Sequence, residues 1–344
     1  MTAQPLNPEL LLAAGEPFAA GLCELPEHLP AQRYARAWRR WLEYGPLPAY
    51  GGQSLYPCGK ILPDQGVPAV VPSYSFTVSW NREALTRKAA ANPAMAGQFE
   101  ALGQLLSEEE AKTPIKNQRH TVGGNAFTHA IVRYDRVLRE GLDTYAERAR
   151  AGLVQAADPQ QAAFYAGMLD LLAGLRVWHR RAVHCLQQSD TASPWRDRLL
   201  DALDQVPFRP ARTFYEAMVA YNVIYCLDGC DNPGRMDQVL LPYYHTEEDQ
   251  ADAVKTLSDF ADHVSANGGW SAALGGTGAD GQPAYNDLTA LILRSMRGRF
   301  RPSIELRVRR DMPDAVWAAA FDALKSGGGQ PAFYHEEAYL DGLK

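Results

Sequence analysis

The stretch from residue 270 to residue 334 constrains this chain most. WSAAL from Trp270 reads as a short strand, Asn286 to Met296 as a helix, Ser303 to Val308 as a strand, Pro313 to Lys325 as a helix and Ala332 to Tyr334 as a strand. Such a β-α-β-α-β order requires parallel strands with right-handed crossovers, and such sheets place ligands beyond their carboxyl ends or inside a closed barrel. Within it, Ser303-Ile304-Glu305-Leu306-Arg307-Val308 alternates strictly, so Ser303, Glu305 and Arg307 share one face and Ile304, Leu306 and Val308 the other. Parallel strands normally read as continuous apolar runs. A charged face means that the strand either borders solvent at a sheet edge or faces a polar cavity.

Upstream the texture differs. Residues 45–80 are rich in Pro, Gly, Tyr and Ser, with too few periodic apolar positions for a helix. The middle is helical. Asp158 before Pro159 is an N-cap signature, and Met168, Leu171, Leu172, Leu175 and Trp178 follow at helical spacing. Thr213 to Glu216 is a capping box opening a helix through Tyr225, and Thr246 caps another that runs to Asn267-Gly268. The expected organisation is a single α/β domain: an irregular arm over 1–80, a mostly helical part over 81–268 and a parallel β-α-β-α-β segment over 269–344.

The chain has 344 residues, 46% of them hydrophobic and 22% charged, enough for a substantial core. Its 34 basic and 40 acidic residues give a net charge of -6, with arginines scattered in pairs such as Arg39-Arg40, which argues against a nucleic-acid partner. The N-terminus lacks the basic region of a signal peptide, and no run approaches the roughly 18 apolar residues of a membrane span. A cytoplasmic location is expected.

Five cysteines, Cys23, Cys58, Cys185, Cys226 and Cys230, form a sparse, odd set that argues against a disulfide framework. Cys226 and Cys230 stand four apart, close together at a helix end. A metal site would need two further ligands, for which His179, His184 and Cys185 are the nearby candidates in sequence, and the spacing lacks a C-x-x-C knuckle. Small buried thiols, with no metal, are the expectation.

Gly275-Gly276-Thr277-Gly278 follows a strand, but no Lys-Ser/Thr comes after it, so it reads as a turn rather than a phosphate cradle. Hydrolase motifs are absent. His120 and His129 bracket the glycine-rich TVGGNAFT, where a histidine is either a structural donor or a proton relay. Gly327-Gly328-Gly329 allows close backbone approach or simply caps a helix.

Six segments, in order, resemble the N-terminal half of a glycyl radical enzyme of the pyruvate formate-lyase family. THAIVRYDRVLREGL (128–142) is similar to the family's G-H-x-x-P-D-Y-x-x-V-L-x-x-G-L, RTFYEAM (212–218) to R-x-F-x-E-A, and GRMDQVLLPYY (234–244) to G-R-x-D-Q-x-L-x-P-Y-Y. GGTGADGQPAYNDLTALIL (275–293) resembles G-G-x-x-x-x-G-x-x-x-x-N-x-L-T-x-x-I-L, and RPSIELRV (301–308) and GGGQPAFYHEE (327–337) resemble the segments that lead to the family's catalytic loop. The likeness runs from about residue 115 onward.

The resemblance implies N-terminal helices and half of an α/β barrel with parallel strands, in which two finger loops meet. It implies a separate iron-sulfur enzyme that uses S-adenosylmethionine to place a radical on a backbone glycine, a cysteine that relays it to a small-molecule substrate, and no cofactor held in the barrel. Arg235, Asp237 and Gln238 are then expected to pair with buried polar groups at the barrel wall, Val239 to Leu241 to pack, and Pro242 with Tyr243 and Tyr244 to turn the chain outward. Substrate contacts are expected from His129, Asn232, Arg235, Asp237, Ser303, Glu305 and Arg307. Asn232 and Pro233 stand where the family usually carries serine and phenylalanine, which leaves the substrate open.

Neither a G-C-V-E-type cysteine loop nor an R-V-x-G-Y glycyl motif occurs, so no catalytic residue is expected in these residues. The expectation is an N-terminal portion that is inactive alone and works with a missing C-terminal half and an activating enzyme; a homodimer is compatible with it. The alternatives are a non-catalytic half-barrel binding or assembly module, and an α/β enzyme using His129 and Glu305 on a small polar metabolite.

Overall fold

The structure, a computed structural model, describes residues 5–60, 78–112, 131–230, 232–269 and 271–343. These fall into two compact units rather than one. The first draws on Met1–Pro46, Pro63–Thr128 and Thr144–Arg181, the second on Leu47–Leu62, His129–Asp143 and Ala182–Lys344.

The first unit corrects the expected irregular arm. Helices occupy Pro8–Ala13, Pro17–Glu24 and Pro30–Tyr44, each with proline in its first turn, and Val78–Ala91 begins another. Proline there costs nothing, because its missing N–H has no intrahelical acceptor at a helix start. Besides short links at 14–16 and 25–29, the irregular part of the arm among the described residues is 45–60, which lies in the stretch that the sequence marks as proline-rich. Leu11, Phe18, Ala19, Ala20, Ala37, Leu85, Phe99 and Leu102 form the core of this unit. Asp158 caps the long Pro159–Gln187 helix, its Oδ1 accepting from the Gln161 N–H at 2.9 Å.

In the second unit, the Phe214–Leu227 helix is buried from Phe214 to Tyr225. Thr213 caps it, accepting from the Glu216 N–H at 3.2 Å. The reciprocal half of the box is missing. The Glu216 carboxylate instead accepts from the Arg212 N–H at 2.8 Å and pairs with its guanidinium, since a charge-assisted bond outweighs a neutral amide. The next long helix, Thr246–Ala266, has His245 rather than Thr246 at its cap position.

Three strands follow, β1 (Ser271–Gly275), β2 (Ser303–Val308) and β3 (Ala332–His335), parallel and in the order β1-β2-β3. The crossovers run through the helices Asp287–Ser295 and Asp314–Ala323. Two right-handed crossovers in the same direction put both helices on one face. Ile304 and Leu306 are fully buried and Val308 nearly so, while Ser303, Glu305 and Arg307 are half-buried, the alternation that the sequence predicts. Burying Ile304 and Leu306 stabilises the sheet by about 1.5–3 kcal/mol each. A one-residue slip would expose both and bury Glu305 and Arg307, so the register is firmly set.

Candidate functional site

The pairing register defines the open face. Ser271, Ala273 and Gly275 of β1 stand beside Ser303, Glu305 and Arg307 of β2, and Ala332 and Tyr334 of β3 beside Glu305 and Arg307. The β1 side of this face offers nothing larger than a serine. Small side chains there leave room above Glu305 and Arg307, which is how a strand in the middle of a parallel sheet can carry charge.

At the carboxyl ends of the strands the polar groups interlock. Arg307 Nη2 donates to Glu336 Oε1, and Thr277 Oγ1 donates to Glu336 Oε2 at 2.9 Å. Arg309 Nη1 donates to Thr277 Oγ1 at 2.7 Å. The Tyr285 hydroxyl donates to the Arg307 carbonyl at 2.7 Å and accepts from the Arg309 N–H at 2.9 Å. Glu336 is buried in the first turn of the Glu336–Gly342 helix, where the helix dipole favours a carboxylate. Neither Glu336 nor Thr277 is among the expected site residues. The only sequence cue is an acid directly after the last strand.

The Gly234–Tyr244 segment braces β1 from its outer side. Gly234 bridges Ala272 in parallel, and its carbonyl accepts from the Ala273 N–H at 3.2 Å. Asn232 is buried; its Oδ1 accepts from the Gly234 N–H at 2.8 Å and its carbonyl accepts from the Tyr134 hydroxyl at 3.0 Å. Arg235 Nη2 donates to the Gly275 carbonyl at 2.6 Å, and Gln238 Nε2 to the Ala284 carbonyl at 2.6 Å. Fully buried Asp237 accepts from the Gly275 N–H at 2.8 Å and from Thr289 Oγ1 at 2.9 Å, both at Oδ2. Burial pushes the Asp237 carboxyl above the usual carboxylate range, against those bonds and the Arg235 charge. Arg235 and Asp237 pair with groups of buried residues as expected, whereas the carbonyl that Gln238 reaches belongs to half-buried Ala284.

The expected packing of this segment needs correction. Met236 and Leu240 are buried, whereas Val239 is half-buried and Leu241 exposed. Tyr244 turns inward against Phe214, with ring centroids 5.4 Å apart and edge to face, not outward. The helical turn Met236–Val239 passes into a tight turn at Leu241–Tyr243, so a helical spacing, not the apolar run, selects the buried residues.

The structure thus brings Ser303, Glu305 and Arg307 together on the open face and places Arg235 at the carboxyl end of β1. Asn232 and Asp237 are spent on holding backbone. His129, like His120, lies outside the described residues. Gly275 and Gly276 both have positive φ, and the Gly276 carbonyl accepts from the Ala284 N–H at 2.8 Å, so this stretch is the expected turn.

A second cluster lies elsewhere in the same unit. His263 Nε2 stands 3.4 Å from Cys226 Sγ and 3.8 Å from Cys230 Sγ. The Cys226 thiol holds the Cys230 pKa down, to about 6, assisted by His263, while burial keeps Cys226 well above the usual thiol range. None of His179, His184 and Cys185 joins this group.

Comparison with known proteins decides the family. Residues 108–344 match the pyruvate formate lyase-like family. The chain belongs to that family. It is 28% identical over 249 residues to the isethionate sulfite-lyase of Desulfovibrio desulfuricans, covering 59% of this chain and 30% of that protein. It is 24% identical over 278 residues to the (2S)-3-sulfopropanediol dehydratase of Klebsiella oxytoca, covering 69% and 33%. The fold matches the glycerol-bound B12-independent glycerol dehydratase of Clostridium butyricum with a TM-score of 0.77 at 17% identity, over 96% of this chain and 49% of that one. The chain therefore spans about a third of these curated relatives and about half of that solved structure. Glycyl radical enzymes that are lyases and dehydratases are its relatives. Among the described residues no helix is long and apolar enough to cross a membrane.

Proposed function

We propose that this chain supplies the N-terminal portion of a glycyl radical lyase or dehydratase, and that the open face of β2 forms one wall of a pocket for a small metabolite bearing hydroxyl or sulfonate groups. The observation that carries this reading is the charged face of β2 opening over a β1 face of only Ser271, Ala273 and Gly275. Arg307 offers planar donors suited to an anionic oxygen group, and Glu305 and Ser303 suit hydroxyls. Glu336 holds the Arg307 guanidinium in place. Arg235 and Asp237 act behind them by fixing the end of β1. His129 is kept as a hydrogen-bond partner or proton relay for the substrate. The glycyl and thiyl radicals belong to a segment outside these 344 residues, since neither motif occurs within them. The activating enzyme is of the iron-sulfur, S-adenosylmethionine-using class.

A binding or assembly module is the second reading. It is favoured by Trp317, which stacks on Phe321 and Phe333 with centroids 5.6 and 5.7 Å apart while both phenylalanines stay exposed, as a surface covered by another polypeptide would. Anaerobic incubation with an activating enzyme, S-adenosylmethionine and a reductant, followed by electron paramagnetic resonance, separates the two. The 344 residues alone should give no glycyl doublet. With a polypeptide carrying the cysteine and glycyl segments, a doublet and turnover should appear. There, Arg307→Leu should raise KM for a sulfonated substrate and His129→Ala should lower kcat, with the doublet intact in both. A doublet or turnover from this chain alone would overturn the proposal, and a monodisperse chain that no such partner activates would favour the module.

A further inference from the structure

We propose that Cys226, Cys230 and His263 bind one zinc ion. Tetrahedral zinc with bonds of about 2.3 Å to sulfur and 2.05 Å to nitrogen sets sulfur and nitrogen about 3.5 Å apart. The observed separations of 3.4 and 3.8 Å from His263 Nε2 to the two sulfurs bracket that figure. All three ligand atoms lie within 4.8 Å of one another. The sequence lacks a C-x-x-C knuckle, but the third ligand arrives from another helix, 33 residues after Cys230.

The ligands are presented by well-braced backbone. Cys226 lies in the last turn of the Phe214–Leu227 helix. Cys230 follows the helix end with a φ of 58°, and is the one non-glycine residue with positive φ among the described residues. Its N–H donates to the Tyr225 carbonyl at 3.0 Å, and its own carbonyl accepts from the Tyr225 hydroxyl at 2.6 Å. That left-handed step costs a non-glycine residue roughly 1–2 kcal/mol, and it brings the Cys230 sulfur back toward Cys226. His263, in the last turn of the Thr246–Ala266 helix, is fully buried, with its ring edge-on to Tyr225 at 5.6 Å.

Nε2 has a single lone pair and two thiols converge on it, so it accepts from only one S–H, and the Cys226 thiol has a long alternative acceptor in the Pro57 carbonyl at 3.8 Å. An ion uses all three groups at once: two thiolates and the Nε2 lone pair coordinate, the two thiol protons leave to solvent, and Nδ1 keeps the ring proton. Two thiolates and an imidazole at tetrahedral spacing select zinc over magnesium or calcium. All three ligand groups are buried, so a fourth ligand would be a water enclosed with the ion. Bound there, the ion would tie the ends of the two helices and fix the turn that leads to Asn232 and Arg235.

The test uses the chain purified anaerobically with reductant. Elemental analysis should find about one zinc per chain after gel filtration, and replacement by Co2+ should give thiolate-to-cobalt charge-transfer bands with tetrahedral d–d bands. Cys226→Ser, Cys230→Ser and His263→Ala should each weaken retention more than the about 10–100-fold typical of losing an outer-shell partner. Cys185→Ser should leave the spectrum unchanged. Should a ligand variant fail to fold, the wild-type chain still decides, because chelator should lower its thermal midpoint and zinc should restore it. A chain that takes up no zinc or Co2+ while all five thiols are reduced, or that binds equally well without these side chains, would overturn the assignment. So would uptake that Cys185→Ser abolishes.

Discussion

Thr289 donates its hydroxyl to Asp237 Oδ2 across 2.9 Å, joining the turn that braces β1 to the first crossover helix. The same oxygen accepts from the Gly275 N–H at 2.8 Å, so one buried carboxylate sets where β1 ends and where the helix begins. Asn286 completes the joint: its side chain accepts from the Thr289 N–H at 3.2 Å and donates to the Asp237 carbonyl at 3.0 Å. Asp237→Ala leaves two buried donors without an acceptor and should cost about 2–4 kcal/mol. Asp237→Asn keeps an acceptor oxygen and should cost less. Burial raises the folded-state pKa above its unfolded value near ~3.9. The folded chain then holds this proton more tightly, so the Asp237 contribution is fully present below about pH 4 and lost as pH rises through the folded pKa. Urea unfolding of both forms across pH should show Asp237→Asn closing part of its deficit as pH rises. A constant gap would refute the assignment.

Asp170 should show the opposite slope. Burial pushes its carboxyl up, but bonds from Arg36 Nε at 2.7 Å and Arg39 Nη1 at 2.6 Å outweigh that and hold it below the usual range. Glu24 and Glu43 extend the network to Arg40, which accounts for the Arg39-Arg40 pair seen in the sequence. A depressed folded pKa contributes stability that is present above about pH 4 and lost as pH falls through the folded value. Asp170→Asn should cost about 1–2 kcal/mol at neutral pH, after discounting for solvent screening of these partly exposed arginines. The cost should shrink in acid. Chemical denaturation at neutral and acidic pH checks both the size and the sign.

These joints also show what the sequence makes legible. The alternation of β2 is readable because one buried face imposes a period of two, and Asp158 is readable as a cap because its partner is three residues away. The Asp237 and Arg307 contacts span 52 and 29 residues, and the Cys230 to His263 approach spans 33. Periodicity carries no information at that range. The helices over 8–44 are hidden for a local reason, since proline at a helix start and proline in a loop look alike without the following turn. Leu241 misleads similarly: an apolar run suggests burial, but the helical turn before it has already chosen Met236 and Leu240.

Gly275 should be the least replaceable glycine at the site. It sits at the end of β1 with a φ of 63°, and an added Cβ would lie 2.3 Å from Tyr285 Cε1. The Tyr285 ring cannot simply retreat, because its hydroxyl is bonded to the Arg307 carbonyl and the Arg309 N–H. Gly275→Ala therefore combines backbone strain of about 1–2 kcal/mol with overpacking of about 1–3 kcal/mol. Gly281 supplies the control, with a φ of 79° and open space around its missing side chain. Gly281→Ala should carry the strain alone. Thermal or urea unfolding should thus place Gly275→Ala below Gly281→Ala by about 1–3 kcal/mol, the overpacking part. Equal losses would mean that the Tyr285 ring yields, and would remove it from the framework that positions Arg307.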